Sequence, residues 1–148
     1  MGKPRAQSLA AAIQDYETRA ARYWPLEIRE VREEPARNAT AELVREREGE
    51  RLLAAAGANA LIVACEAEGA ARTSAELAAW MNAERERALR DVAFVIGGAY
   101  GLSPAVRASA AQRLSFSSFT FPHELARLML AEQLYRAGTI VRGEPYHK

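Results

Sequence analysis

The chain has only one cysteine, Cys65. No internal disulfide can form, no cysteine-built zinc site is available, and a reducing cytoplasm is the expected compartment. Long hydrophobic runs are also missing. The longest is Ala60-Leu61-Ile62-Val63-Ala64-Cys65, far short of the roughly 20 residues that span a bilayer, so no membrane partner is expected. Gln14, Asp15 and Glu17 interrupt the Ala-rich N-terminal stretch, where a signal peptide would need an unbroken apolar core. The only histidines, His123 and His147, stand far apart, and no metal is expected. The chain has neither a phosphate P-loop nor a Ser-His-Asp ordering, which argues against kinase and hydrolase chemistry.

An excess of one charge is missing as well. Lys+Arg is 20 against Asp+Glu 19, a net +1, and only two of the basic residues are lysines. The arginine bias and the abundance of alanine are what a GC-rich genome produces. The charge is unevenly spread. From Gly97 onward six basic residues face three acidic ones, so the C-terminal third carries +3 and residues 1–96 carry −2. A free duplex-binding protein shows a much heavier basic patch, so DNA is not an expected partner. Any nucleic-acid role must lean on shape, a second subunit or a partner surface.

The rest of the composition is that of an ordinary globular chain, with 49% hydrophobic and 26% charged residues in 148. That length suits one domain with one core, taken as residues 1–148. Helical spacing of Leu9, Ala12, Ile13, Tyr16 and Ala20 predicts a helix from a cap at Ser8 to Tyr23, ended by Pro25. Alternation of Leu26, Ile28 and Val31 with charged residues predicts a strand over 25–31. Asn38 or Thr40 would cap a second helix that stops at Gly57. The run 59–65 predicts a strand buried on both faces. Thr73-Ser74-Ala75-Glu76 is a capping box opening a helix to about Leu89. Val92–Ile96 predicts a second buried strand. Pro104 starts a short helix to about Ala111. A strand is expected over 114–121 and a long helix over 122–141. Alternating helices and strands give an α/β class with a mainly parallel sheet and helices on both faces.

Two segments could carry chemistry. Val95-Ile96-Gly97-Gly98-Ala99-Tyr100-Gly101 places glycines after a strand, where ligands of parallel sheets bind and a backbone without side chains allows close approach. The spacing is not G-x-G-x-x-G and no acidic residue follows about 20 positions later, which disfavours a dinucleotide site. A plain strand-to-helix turn is the other reading. Ser115-Phe116-Ser117-Ser118-Phe119-Thr120-Phe121-Pro122-His123 sets hydroxyls beside aromatics, the make-up of a purine pocket or of an edge strand with a polar face. Cys65 reads as a small core residue, and Trp24 and Trp80 as packing residues. Glu132 and Arg136 read as a solvated i, i+4 pair. The last helix holds too many apolar residues for one stripe, which suits burial on two sides or against a second copy.

Five segments taken together carry more than any one alone. They are Leu52-Leu53-Ala54-Ala55-Ala56-Gly57, Phe94-Val95-Ile96-Gly97-Gly98-Ala99-Tyr100-Gly101-Leu102-Ser103-Pro104, Phe119-Thr120-Phe121-Pro122-His123, Leu130-Ala131-Glu132-Gln133-Leu134-Tyr135-Arg136-Ala137 and Pro145-Tyr146-His147-Lys148. In this order and spacing the chain resembles, from Met1 to Lys148, the bacterial large-subunit ribosomal RNA pseudouridine N3-methyltransferase H family of the SPOUT superfamily. The resemblance implies an α/β knot with a C-terminal trefoil, an exception to the unknotted-chain rule. It also implies a cytoplasmic homodimer that uses S-adenosylmethionine to methylate N3 of a pseudouridine in 23S rRNA on assembled ribosomes.

Carried over by motif, the methyl donor would meet Ala64, Gly97 and the loop Phe116, Ser117, Ser118, Phe119, Thr120 and Phe121. His123, Arg127, Glu132, Tyr135 and Arg136 match the family's Pro-His helix, and Tyr146 and His147 its terminal signature. Three departures stand out. Ala64 replaces a larger aliphatic residue of many members, and Glu144 stands where His is frequent before Pro145. Gly2-Lys3 follows Met1 directly, where members have first a hydrophobic strand, so one strand is expected upstream of Met1.

The donor brings its own electrophile, so the protein mainly has to hold N3 in line with the methyl group and favour loss of its proton. His147 is the first candidate for that task or for RNA positioning. Tyr146 would stack on a base, His123 is a further polar candidate, and Arg127, Arg136 and Lys148 are candidate RNA contacts. Two rival functions are a non-catalytic dimeric ribosome- or RNA-binding protein and a nucleotide-binding oxidoreductase built on Gly97–Gly101.

Overall fold

The computed structural model describes residues 7–37 and 39–147. Its elements run α1 (Gln7–Ala20), α2 (Ala41–Ala56), β1 (Leu61–Ala71), α3 (Ser74–Arg87), β2 (Val92–Ile96), α4 (Pro104–Ser109), β3 (Gln112–Ser115), α5 (His123–Val141) and a 3-10 turn (Pro145–His147). The apolar run Leu61–Cys65 is buried at every position, as a strand flanked on both edges must be. It forms the middle of a three-stranded sheet of order β2-β1-β3, parallel on both sides. The α/β class and the parallel sheet are as expected. β2 is less covered, with only Val95 fully buried.

The chain divides into two compact units. The first comprises Arg29–Ala71 and Arg90–His123 and contains the sheet, α2 and α4. Val31, Leu52, Ile62, Ala64, Val95, Leu102 and Val106 form its core. Thr40 caps α2 by accepting from the Leu43 amide at 3.2 Å, whereas Asn38 lies outside the described residues. Ser103 caps α4 by accepting from the Val106 amide at 3.3 Å, with Pro104 at the first helical position, where its missing N–H costs nothing. The second unit takes the described residues up to Ile28, with Arg72–Leu89 and Glu124–Lys148. There Ile13, Ala20, Trp24, Leu77, Ala78, Leu130, Leu134 and Ala137 are buried, and the Trp24 indole donates to the Leu134 carbonyl at 2.8 Å. The expected capping box is present: Thr73 accepts from the Glu76 amide at 3.2 Å while Glu76 accepts from the Thr73 amide at 2.7 Å.

Four expectations need correction. Residues 25–31 form no strand. From Arg29 onward the backbone is tied to α2 by side chains: Arg29 donates to the Ala55 carbonyl at 2.5 Å, Arg51 to the Arg32 carbonyl at 3.1 Å, and the Glu34 amide to Glu48 at 3.0 Å. The strand expected over 114–121 is only Gln112–Ser115. Beyond it the Ser115 hydroxyl donates to the Ser117 carbonyl at 2.9 Å and the Ser117 hydroxyl accepts from the Phe119 amide at 3.1 Å. These local bonds compete with a ladder. α1 already includes Gln7, so Ser8 lies inside the helix. α3 stops at Arg87 because Ala88 turns left-handed, with φ 48°.

β1 also runs six residues past the expected strand. Its register with β3 jumps between Cys65 and Ala70, an irregularity that ejects 66–69 from the ladder. A Cβ on Gly69 would stand 2.6 Å from the Leu114 carbonyl carbon, so the return path needs glycine.

Candidate functional site

Parallel strands deliver their C-terminal ends to one edge of the sheet. Cys65 is level with Ile96 on one side and Leu114 on the other, so Gly97 and Phe116 leave the sheet close to the same level, flanking the ejected segment 66–69. Parallel sheets bind ligands outside the carboxyl ends of their strands. The sequence-level candidates Ala64, Gly97 and 116–121 all belong to this first unit.

The turn after β2 closes on itself. The Gly101 amide donates to the Gly98 carbonyl at 3.0 Å, Gly98 and Gly101 form an isolated bridge, and Gly101 has φ +79°. A Cβ on Gly97 would stand 2.7 Å from the Gly101 carbonyl carbon. The turn is therefore tight, with the Cβ side of Gly97 filled by Gly101 and that of Gly101 open. Ala64 is completely buried, level with Val95 and Arg113. Glu66, in the part of β1 that leaves the ladder, is ion-paired with Arg107 at 2.7 Å and with Arg113.

The loop after β3 is unlike the rest of its unit. Phe116 and Ser117 are half-buried, but Ser118, Phe119, Thr120 and Phe121 are exposed, Phe119 at 75% and Phe121 at 37%. Burying a phenylalanine contributes about 1.5–3 kcal/mol, and Phe119 forgoes most of that. His123, at the start of α5, has a buried Nε2 with no hydrogen-bond partner. The Glu33 carboxylate stands 3.7 Å away, too far for a hydrogen bond. The Cys65 thiol is buried, and desolvation, with the neighbouring Glu66 charge second, pushes it up to about 12. It is a core residue, as the sequence suggested.

The remaining candidates lie in the second unit. Glu132 and Arg136 are not the solvated pair expected from spacing. Glu132 Oε1 accepts from Arg136 Nε at 2.9 Å and Nη2 at 2.6 Å, and from the Tyr146 phenol at 3.2 Å, while its Oε2 accepts from Gln133 at 2.7 Å. Gln133 in turn accepts from Ser74 at 2.7 Å. Arg127 makes a two-point pair with Glu17 at 2.7 and 3.2 Å. Both arginines named as RNA contacts thus already hold a carboxylate. The Tyr146 ring lies 4.5 Å from that of Tyr135, and burial, with its bond to Tyr16 second, raises the phenol above its ordinary range. Residues Pro145–His147 form a 3-10 turn. Lys148 and the His147 side chain lie outside the described residues. Tyr16, Glu17 and Tyr23 were not singled out as site residues from sequence, because their partners lie more than 100 residues away.

A family model described as predicted SPOUT methyltransferase matches residues 1–147. The chain belongs to this family. Its relatives cover the same length. A protein of Gemmatimonas aurantiaca named ribosomal RNA large subunit methyltransferase H is 60% identical over 148 residues, all of this chain and 96% of that relative. Proteins of the same name from Geobacter metallireducens and Bacillus pumilus are 46% and 42% identical over 99% and 100% of the chain, covering 94% and 96% of their own lengths. As a SPOUT methyltransferase the chain is an enzyme, and its α/β parallel sheet is in keeping with the family. No helix among the described residues is long and apolar enough to cross a membrane.

Proposed function

We propose that this chain methylates N3 of a pseudouridine in 23S rRNA, taking the methyl group from S-adenosylmethionine and acting on assembled ribosomes. The observation that carries the reading is the 60% identity, over the whole chain, to a relative named ribosomal RNA large subunit methyltransferase H. The reading includes a cytoplasmic homodimer and one SPOUT domain with a C-terminal trefoil knot.

The first unit fits the donor. An adenosyl group needs an apolar wall, hydroxyl partners and a backbone it can approach. Phe119 and Phe121 stand exposed, Ser117, Ser118 and Thr120 share their loop, and Gly97 to Gly101 bring no bulky side chain except Tyr100. Ala64 lies under the same edge. When bound, the donor supplies a methyl group on a sulfonium, a strong electrophile whose leaving group is neutral. What remains for the chain is alignment and the proton. Substrate N3 loses a proton as its bond to carbon forms, and His147 is the group proposed to accept it or to fix the base, with His123 as the further imidazole. Tyr146 accompanies His147 in the tail. Arg127, Arg136 and Lys148 are proposed to face the RNA, and the first two would exchange or share their carboxylate partners on binding.

The test is transfer of a labelled methyl group to ribosomes that lack the modification. About one methyl per 23S rRNA, mapped to a pseudouridine N3, is expected. Binding to ribosomes without incorporation would overturn the reading in favour of a non-catalytic binder.

A further inference from the structure

The end of the chain is held by more than its terminal turn. After α5, Gly143 adopts φ +68°, its amide donates to the Ile140 carbonyl at 3.0 Å, and the Glu144 amide donates to the Thr139 carbonyl at 2.8 Å. These bonds satisfy carbonyls that a helix end would leave unpaired and reverse the chain. The Tyr23 phenol donates to the Glu144 carboxylate. The 3-10 turn Pro145–His147 then returns Tyr146 against α5 and α1, where its hydroxyl is 3.2 Å from Glu132 Oε1 and 3.3 Å from the Tyr16 hydroxyl. The ring has Tyr135 at 4.5 Å and the Arg136 guanidinium at 5.1 Å. Hydroxyl and ring are both in use within the second unit, which is hard to reconcile with a tyrosine waiting for an RNA base.

We infer that Tyr146 is an anchor rather than a base-stacking residue. Glu132 and Tyr16 are positioning residues that hold the anchor and so fix the backbone that carries His147. Glu132 suits the task because Arg136 already fixes its carboxylate with two bonds to one oxygen, and a phenol donating to an ionised carboxylate makes a charge-assisted bond, stronger than a neutral one. The consequence for turnover rests on the methyl-transfer reading. The anchoring itself does not.

Tyr146→Phe separates the two roles, because it keeps the ring and loses both hydroxyl contacts. Two measurements on the full chain decide. Hydrogen exchange of amides 142–144, 146 and 147 is expected to quicken about tenfold in Tyr146→Phe and Glu132→Gln, the size of one hydrogen bond to a charged group, and about threefold in Tyr16→Phe. In ribosome methylation, kcat is expected to fall by a similar factor with KM and donor affinity within twofold of the parent. A Tyr146→Phe chain with unchanged exchange would overturn the anchor. So would one with the parent's kcat while Tyr146→Ala is inactive, since that is the pattern of stacking. If the parent itself transfers no methyl group, the functional reading fails and the exchange measurement still decides the anchor.

Discussion

The two units solve opposite problems. The first builds its candidate site from backbone: strand ends, a turn that tolerates no Cβ at Gly97, and a loop in which Phe119 and Phe121 stand exposed. The second is saturated with side-chain pairing, in which Glu17, Glu132 and Glu144 each hold a partner from a distant stretch of chain. Apolar side chains left uncovered beside strand ends invite a ligand, whereas a cluster of paired side chains holds a shape. The donor site proposed above uses residues of the first unit, and the proposed RNA contacts Arg127 and Arg136 belong to the second.

Gly97→Ala should break the first side of that comparison most severely. Its Cβ meets the backbone of Gly101, which cannot rotate away, and a loss of about 3 kcal/mol in urea unfolding is expected together with loss of S-adenosylhomocysteine binding. Gly101→Ala meets open space at φ +79° and should cost about 1–2 kcal/mol, from strain alone. Trp24→Phe probes the other side. It leaves the buried Leu134 carbonyl without its indole donor and should cost about 2 kcal/mol with no change in donor affinity, checked by unfolding and calorimetry side by side.

Phe119→Ser should do the reverse. The ring is 75% exposed, so unfolding should shift by less than about 0.5 kcal/mol while donor affinity falls about tenfold. The smallest expected signal is chemical. With its thiol pushed up to about 12, Cys65 stays protonated and should resist iodoacetamide at pH 8 until the chain unfolds. Because folding raises this pKa, Cys65 favours the folded state less as pH climbs past about 8.5, the ordinary thiol value. Rapid labelling of the native chain at pH 8 would contradict its place in the core.

What could be read in advance was local. The capping box at Thr73, the Ser103-Pro104 start of α4 and the glycines after β2 each declare themselves within a few residues, and all appear as expected. The strand ends were harder, because the serines of 115–118 fold back on their own backbone and end β3 early. The segment 25–31 has apolar spacing suited to a strand, but among the described residues no strand pairs with it. The Glu132 cluster was illegible for a different reason. Spacing shows Arg136 four residues away, but nothing along the chain shows that Tyr146 and Tyr16 come to the same place. Gly69 is likewise explained only by the backbone of Leu114 opposite.

The central claim is that the exposed loop and glycine turn of the first unit form a methyl-donor site. It is tested most directly by calorimetric titration of S-adenosylhomocysteine into the purified chain and into Phe119→Ser, with NADH as control. About one site per chain is expected in the parent, with about tenfold weaker binding in the variant and none for NADH. Equal affinity in parent and variant, or binding of NADH in place of S-adenosylhomocysteine, would contradict it.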